Sequence, residues 1–442
     1  MNITCSYDKP ENGKAVISLT IDKKEVDKAI AQSYREIAAK YNFQGFRRGR
    51  APRPVIDGIV GREAVLAEAT NNLLGAVEPE MLETLDLVPL TRLDYGEDVA
   101  LLTEKSDYSI EITCDIAPVG ELDSYEAPSI QMPPEEVTEA EIDRQIEILR
   151  GYRTTLEDIE EDRGIEDGDF VLADVENIAN MREYEGENRM FNMANPSMPE
   201  QLKDGFMGMK VGDEKEIRWT RAHEHDGESH EVEIGAKVKV TAIRRSVTPE
   251  ITEDNVKTDY GFESIAELRD AVKEEVAEDK KRRLPQLKQD RVVEAIGEHL
   301  VIDEVPESYV IPIMNETANQ MLQSLQSQGM SLDMYLRMND MTAETFRDDL
   351  RAQAEDSARQ SLALDALAAH LELEATDEDC REQLAIAGVP DVDEQFDAFR
   401  AEGRIPALRE AVRRTKAIEW LVDNCPVTEV DEIAEQAAAE EE

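Results

Sequence analysis

The stretch YNFQGFRRGRAPRPV, residues 41–55, places four arginines and two glycines in a chain with 99 Asp and Glu against 49 Lys and Arg. A formal net charge of −50 repels phosphate backbones over most of the surface, so any nucleic-acid contact must be local. Arg47, Arg48, Arg50 and Arg53 supply that local counter-charge. Gly45 and Gly49 permit tight turns. Phe46, between glycine and arginine, reads either as an exposed apolar anchor or as a pin holding the loop to the preceding helix.

Outward from this loop, the period of the apolar residues organises the chain. KAVISLTI (14–21) alternates as a strand. Asp22 and Glu25 then open a helix whose Val26, Ile30, Tyr34 and Ile37 share a face. Residues 62–85 read as helix interrupted or restarted near Pro79, and 106–118 return to strand alternation. A helical layer over a small antiparallel sheet is the simplest arrangement of these pieces. Residues 116–137, rich in Pro, Glu and Ser, read as an extended connector. Thr138 and Glu141 form a capping box for a helix with Ile142, Ile146 and Leu149 on one face.

Between 161 and 247 the period moves toward two, with short strands expected at 169–177, 213–220 and 236–243 and glycines at the turns. From about 251 the pattern is almost wholly helical, in 263–284, 308–341, 342–373 and 406–424. The tail DEIAEQAAAEEE (431–442) has too little apolar surface to need a partner and is expected to fray. Met314, Met321, Met330, Met334, Met338 and Met341 crowd one helical region. They fit core filling, or a surface that repacks against varied apolar partners, since methionine is flexible and polarizable.

Several classes are set aside. The N-terminus lacks the apolar core of a signal peptide, and no run of 18 apolar residues suggests a membrane span. Four scattered cysteines do not make a disulfide framework, and the one histidine cluster, His223, His225 and His230, reads as an acidic loop ahead of a metal site. GxxxxGK[ST], GxSxG, HExxH and CxxC are absent. The profile is that of a cytoplasmic binding protein without metal or cofactor. If it catalyses anything, X–Pro rotation fits, because an apolar pocket that holds the twisted amide needs no strong nucleophile.

Gly45, Phe46, Arg47, Arg48, Gly49, Arg50, Ala51 and Pro52 resemble the GFRxGKxP pattern of bacterial trigger factor, with Arg50 in place of lysine. The charge is kept, although a guanidinium fork and an ammonium bond differently. The resemblance implies a multidomain α+β chain: an N-terminal α/β ribosome-binding domain, a small β-rich FK506-binding-like domain, and an extended all-α chaperone domain with arms. The corresponding boundaries are 1–115, a linker and helix at 116–160, an isomerase-like domain at 161–247, helical client-binding residues 248–432, and an acidic tail 433–442. It implies an ATP-independent chaperone that docks beside the ribosomal exit tunnel through a ribosomal protein and local RNA, and shields nascent or unfolded polypeptides. A weak homodimer off the ribosome is compatible with it; DNA and membrane partners are not expected. The competing class is a helical adaptor using the basic loop on another acidic partner.

In the central domain the resemblance thins. GDFVLADV (168–175), Tyr184, Pro199 and GMKVGDE (208–214) are familiar, and Asp174, Tyr184, Leu202 and Trp219 are the candidate pocket residues for peptidyl-prolyl isomerisation. Yet Val175, Leu202 and Val238 stand where the family carries aromatics. Aliphatic walls keep a pocket apolar but give up the rigid surfaces that grip a proline ring. Two readings stay open: an active isomerase, and a retained fold with little activity.

Overall fold

The computed structural model describes residues 1–8, 13–159, 161–195, 198–225, 228–339 and 341–440. They form two compact units, Met1–Met132 with Leu284–Val430, and Pro133–Arg283 with Asp431–Glu442.

The first unit begins with β1 (Ile3–Asp8) and β2 (Lys14–Ile21). Ala15, Ile17, Leu19 and Ile21 of β2 are buried and the residues between them are not, the period of a sheet packed on one face. Asp22 caps α1 (Lys23–Lys40) by accepting from the Lys24 N–H at 2.8 Å. Val26, Ile30, Tyr34 and Ile37 are its buried stripe, as the spacing predicts. After α2 (Arg53–Ile59), α3 (Arg62–Leu85) runs unbroken through Pro79. A proline inside a helix costs about 3 kcal/mol. Val77, Met81 and Leu82, all buried on either side of it, supply the packing that overrides the expected break. β3 (Tyr108–Asp115) completes a three-stranded antiparallel sheet of order β1-β2-β3.

The connector is not a free strap. Its β4 (Glu121–Leu122) and β5 (Ile130–Met132) each pair with a strand from the C-terminal half of the same unit.

The second unit follows. Thr138 caps α4 (Glu139–Gly151) in the expected reciprocal box with Glu141. Then come β6 (Thr155–Asp158), β7 (Phe170–Ala179), β8 (Gly186–Asn192), α5 (Glu200–Phe206), β9 (Glu214–His225) and β10 (Glu228–Val247). The sheet order is β6-β10-β7-β8, with β9 also on β10. The last two strands are far longer than the short ones expected, because β9 and β10 pair continuously from Glu214↔Lys239 to His225↔Glu228. The histidine cluster therefore sits on strand backbone near a hairpin tip, and its side chains lie outside the described residues. Ile142 of α4 packs with Val256, Leu268 and Val272 in a small core. α6 (Ile265–Glu298) supplies its residues to Arg283 to this unit and the rest to the first.

Back in the first unit, β11 (Leu300–Val301) pairs with β4. The helical run expected at 308–341 is divided into α7 (Glu307–Ser327) and α8 (Leu332–Met338), the second capped by Ser331. α9 (Ala343–His370) lies along α7 and carries a ladder of buried Ala354, Ala358, Leu362 and Leu367. The pattern did not announce α10 (Asp377–Ile386) or α11 (Val392–Ala401), which precede α12 (Ile405–Asn424). They close around Phe396, itself fully buried beneath the guanidinium groups of Arg381 and Arg400 at 4.2 and 4.9 Å. β12 (Val427–Glu429) runs parallel to β5. The tail, expected to fray, forms α13 (Glu432–Glu440) against α4 in the second unit.

Candidate functional site

The basic loop is built from two turns, each with glycine at its third position. The Phe46 N–H donates to the Phe43 carbonyl at 3.1 Å and the Arg50 N–H to the Arg47 carbonyl at 2.9 Å. Gly45 and Gly49 take φ of 86° and 80°, which a residue with a Cβ adopts only under strain. The loop also closes the end of α1. The Gly49 N–H reaches the Ala38 carbonyl at 2.8 Å and Arg48 Nε the Ala39 carbonyl at 2.6 Å, satisfying groups the helix leaves unpaired. Phe43, 5% exposed, is the residue that pins the loop to the core, while Phe46 is 44% exposed.

The arginines separate in the same way. Arg53 donates to Glu104 at 2.8 Å and lies over the Tyr34 ring at 4.7 Å. Tyr34 donates to Asp57 at 2.6 Å, and burial together with that bond pushes its phenol up to about 12. Among the described residues, no partner holds Arg47 or Arg50, and both are exposed. Pro52 ends the loop as the N-cap of α2, its carbonyl accepting from Val55 and Ile56. The loop is thus a braced platform presenting Arg47, Arg50 and Phe46.

On α7, α8 and the turns beside them, none of the six methionines is buried. Met334 and Met338 are 55% and 67% exposed, and Met314, Met321, Met330 and Met341 are half-buried. Tyr335 meets Phe346 edge-on at 6.2 Å, fixing α8 to α9.

In the second unit, an open cavity of about 390 Å³ is walled by Met181, Tyr184, Met198, Pro199, Trp219 and Ile234. Tyr184 stacks on Phe191 at 6.2 Å, and Phe191 packs against Phe206 at 5.1 Å. Burial, then the neighbouring Glu183, pushes the Tyr184 phenol above its ordinary range. The structure brings only two of the four candidate pocket residues together here. Leu202 is fully buried in the core. Asp174 occupies the opposite face of β7 from buried Ala173 and Val175, where it accepts the Asn188 N–H at 2.8 Å. Met181, Met198 and Ile234 were not singled out from sequence; a methionine-rich run from 181 to 198 was the trace the two methionines left, and Ile234 left none.

A braced cationic loop on an α/β domain, a β-rich domain with an open cavity walled by Tyr184 and Trp219, and helices bearing exposed methionines define a multidomain binding protein. Family models described as bacterial trigger factor protein and bacterial trigger factor protein C-terminus match residues 1–149 and 264–423. Those spans, together more than half of the chain, flank the residues that carry the five-stranded sheet. The trigger factor of Halalkalibacterium halodurans is 25% identical over 430 residues, covering 96% of this chain and 99% of that protein. That of Brevibacillus brevis is 27% identical over 433 residues, covering 96% and 100%. A solved structure of the trigger factor chaperone, from work on promiscuous substrate recognition in folding and assembly, aligns with 95% of this chain and 99% of that one at 20% identity and a TM-score of 0.38. The chain belongs to the bacterial trigger factor family, and its function is that of a ribosome-associated chaperone for nascent polypeptide. Among the described residues, no helix is long and apolar enough to cross a membrane.

Proposed function

We propose that the chain docks on the ribosome through the platform of Phe46, Arg47 and Arg50, contacting a ribosomal protein and nearby RNA. The observation that carries this reading is the exposure of two unpartnered arginines on a loop tied by Arg48 and Gly49 to α1. A braced loop loses little conformational freedom on docking. The acidic remainder suppresses loose adhesion to nucleic acid, DNA included. Residues 1–115 form the ribosome-binding domain, 161–247 the isomerase-like domain, and 248–432 with the linker helix the client-binding body. The protein works in the cytoplasm without ATP, and a weak homodimer off the ribosome is compatible with that cycle.

Clients are held on the α7–α8 methionines, where flexible side chains adapt to varied apolar segments and several weak contacts on one chain add by linkage. The cavity of Tyr184 and Trp219 is the isomerase candidate, and its catalytic set is those two with Met181 and Met198 in place of Asp174 and Leu202. Ribosome cosedimentation tests the docking reading. Wild type pellets with ribosomes in a salt-sensitive way and Arg47→Glu/Arg50→Glu does not; equal pelleting would remove the proposal.

A further inference from the structure

In the first unit, the connector between β3 and β4 forms one wall of an open cavity of about 720 Å³. Both ends of that wall are anchored. The Ile116 N–H donates to the Gly13 carbonyl at 2.8 Å, and Glu121–Leu122 pair with β11. Pro118 restricts Ala117 to extended conformations. Gly120 lies so close to α9 and β11 that a Cβ there would meet Leu300 Cδ1 at 2.7 Å and the Leu362 carbonyl oxygen at 3.4 Å. Between the anchors, among the described residues, neither Ala117 nor Val119 makes a backbone hydrogen bond, and the Val119 side chain is 75% exposed. A taut segment with free N–H and C=O groups is a template for another extended chain.

The charge of the remaining walls says what that chain carries. Glu121, Asp365 and Glu410 line the cavity together with one permanent cation, Arg413, which is already donating to Asp86 at 2.8 Å. Behind the wall, Arg414 donates to both oxygens of Asp365 at 2.6 and 2.7 Å and also pairs with Glu410, so one guanidinium answers two carboxylates. Burial holds the Glu410 carboxyl above its ordinary range despite Arg414, so its ionised form gains from an added cation. Tyr125, stacked on His370 at 4.1 Å, supplies a flat apolar side to the same space. We propose that this cavity is a docking site for an extended polypeptide segment, which pairs with the 117–119 backbone and places an arginine or lysine side chain toward Glu410 and Glu121. The site is separate from the ribosome platform, the methionines and the Tyr184 cavity, and rests on none of those readings.

The test follows the fluorescence anisotropy of a labelled Val-Thr-Arg-Val-Thr peptide, and of its twin with uncharged citrulline in place of arginine, against the full chain. Wild type binds the arginine peptide roughly tenfold more tightly than its twin, and the margin narrows as salt rises. Glu410→Gln cuts that margin to about twofold or less and leaves the citrulline peptide unaffected. Val119→Pro removes a free N–H and weakens both peptides alike. Glu187→Gln, on exposed β8 of the other unit, removes the same negative charge and leaves the margin in place. Circular dichroism checks each fold; if Glu410→Gln is unfolded, the exposed Glu121→Gln decides by the same comparison. Equal binding of the two peptides by wild type, equal losses of margin from Glu187→Gln and the cavity variant, or no effect of Val119→Pro overturns the proposal.

Discussion

Arg48 Nε donates to the Ala39 carbonyl at 2.6 Å, so one of the loop's arginines closes α1 while its neighbours face outward. The charge is the same at Arg47, Arg48 and Arg50, but the work is different. Arg47→Ala/Arg50→Ala is expected to weaken ribosome binding and flatten its salt dependence while leaving the melting transition within about 0.5 kcal/mol of wild type. Arg48→Lys keeps the charge but loses the planar donor that reaches Ala39. It should loosen the loop, seen as faster hydrogen exchange at Gly49 and Arg50, with a smaller binding loss. Identical behaviour of all three positions would argue against the brace.

The two phenylalanines of the loop make a parallel contrast. Phe43→Ala opens a cavity in the N-terminal core and should cost about 3–5 kcal/mol of stability. Phe46→Ala should change stability little and reduce ribosome binding, because its ring is already in water. Denaturant unfolding with cosedimentation separates the two, and a large stability loss at Phe46 would return it to a pinning role.

The Tyr184–Trp219 cavity supports a kinetic prediction. If it isomerises X–Pro bonds, the full chain accelerates a proline-limited refolding phase. Trp219→Ala and Tyr184→Ala then each lower kcat/KM by roughly 10- to 100-fold, the scale of a lost apolar wall. Asp174→Ala should have no effect, since that carboxylate is across the sheet. No acceleration by the wild-type chain would withdraw the isomerase reading and leave the chaperone function untouched.

What the sequence disclosed, and what it hid, follows from where the signal is local. β2, α1 and the Thr138–Glu141 box are written in neighbouring residues, and each formed where the pattern put it. Phe396 gave no such sign, because its burial depends on Arg381 of α10, as well as Arg400 of its own helix, covering its ring. The pairing of β5 with β12 joins Ile130 to Val427, a separation no local window detects. Asp174 illustrates the limit of a motif: the residue type matches, but its strand face is set by the sheet. Pro79 is the converse, a strong local signal overruled by packing.

Among the described residues of the second unit, Lys280 and Glu141 form the most enclosed ion pair, their side chains 9% and 12% exposed, and the same carboxylate closes the capping box at Thr138. Lys280→Met should therefore cost about 3–5 kcal/mol, because it strands a buried carboxylate. Lys280→Met/Glu141→Leu should recover much of that loss, keeping a deficit of about 1 kcal/mol for the cap. A double variant no better than the single would mean the pair is less buried in solution.

Acid should release α10 before the first unit's main core. The Lys416 ammonium, with the Thr376 N–H and hydroxyl, holds the Asp379 carboxyl down at about 2. Arg409, then Arg400, holds Asp377 below the usual carboxylate range. Both pKa values are depressed on folding, so the stability they add is present above the unfolded value of about 4 and is lost as pH falls toward 2. Glu410 runs the other way, since burial raises its carboxyl and makes protonation easier in the folded state, which softens the loss. Hydrogen exchange of peptides covering Asp377–Ile386 should rise between pH 4 and 2, ahead of peptides from β2. Asp379→Asn should reduce that acid sensitivity at the cost of lower stability at neutral pH. Uniform acid loosening of both regions would show that the Asp377–Arg409 and Asp379–Lys416 pairs do not govern this end of the unit.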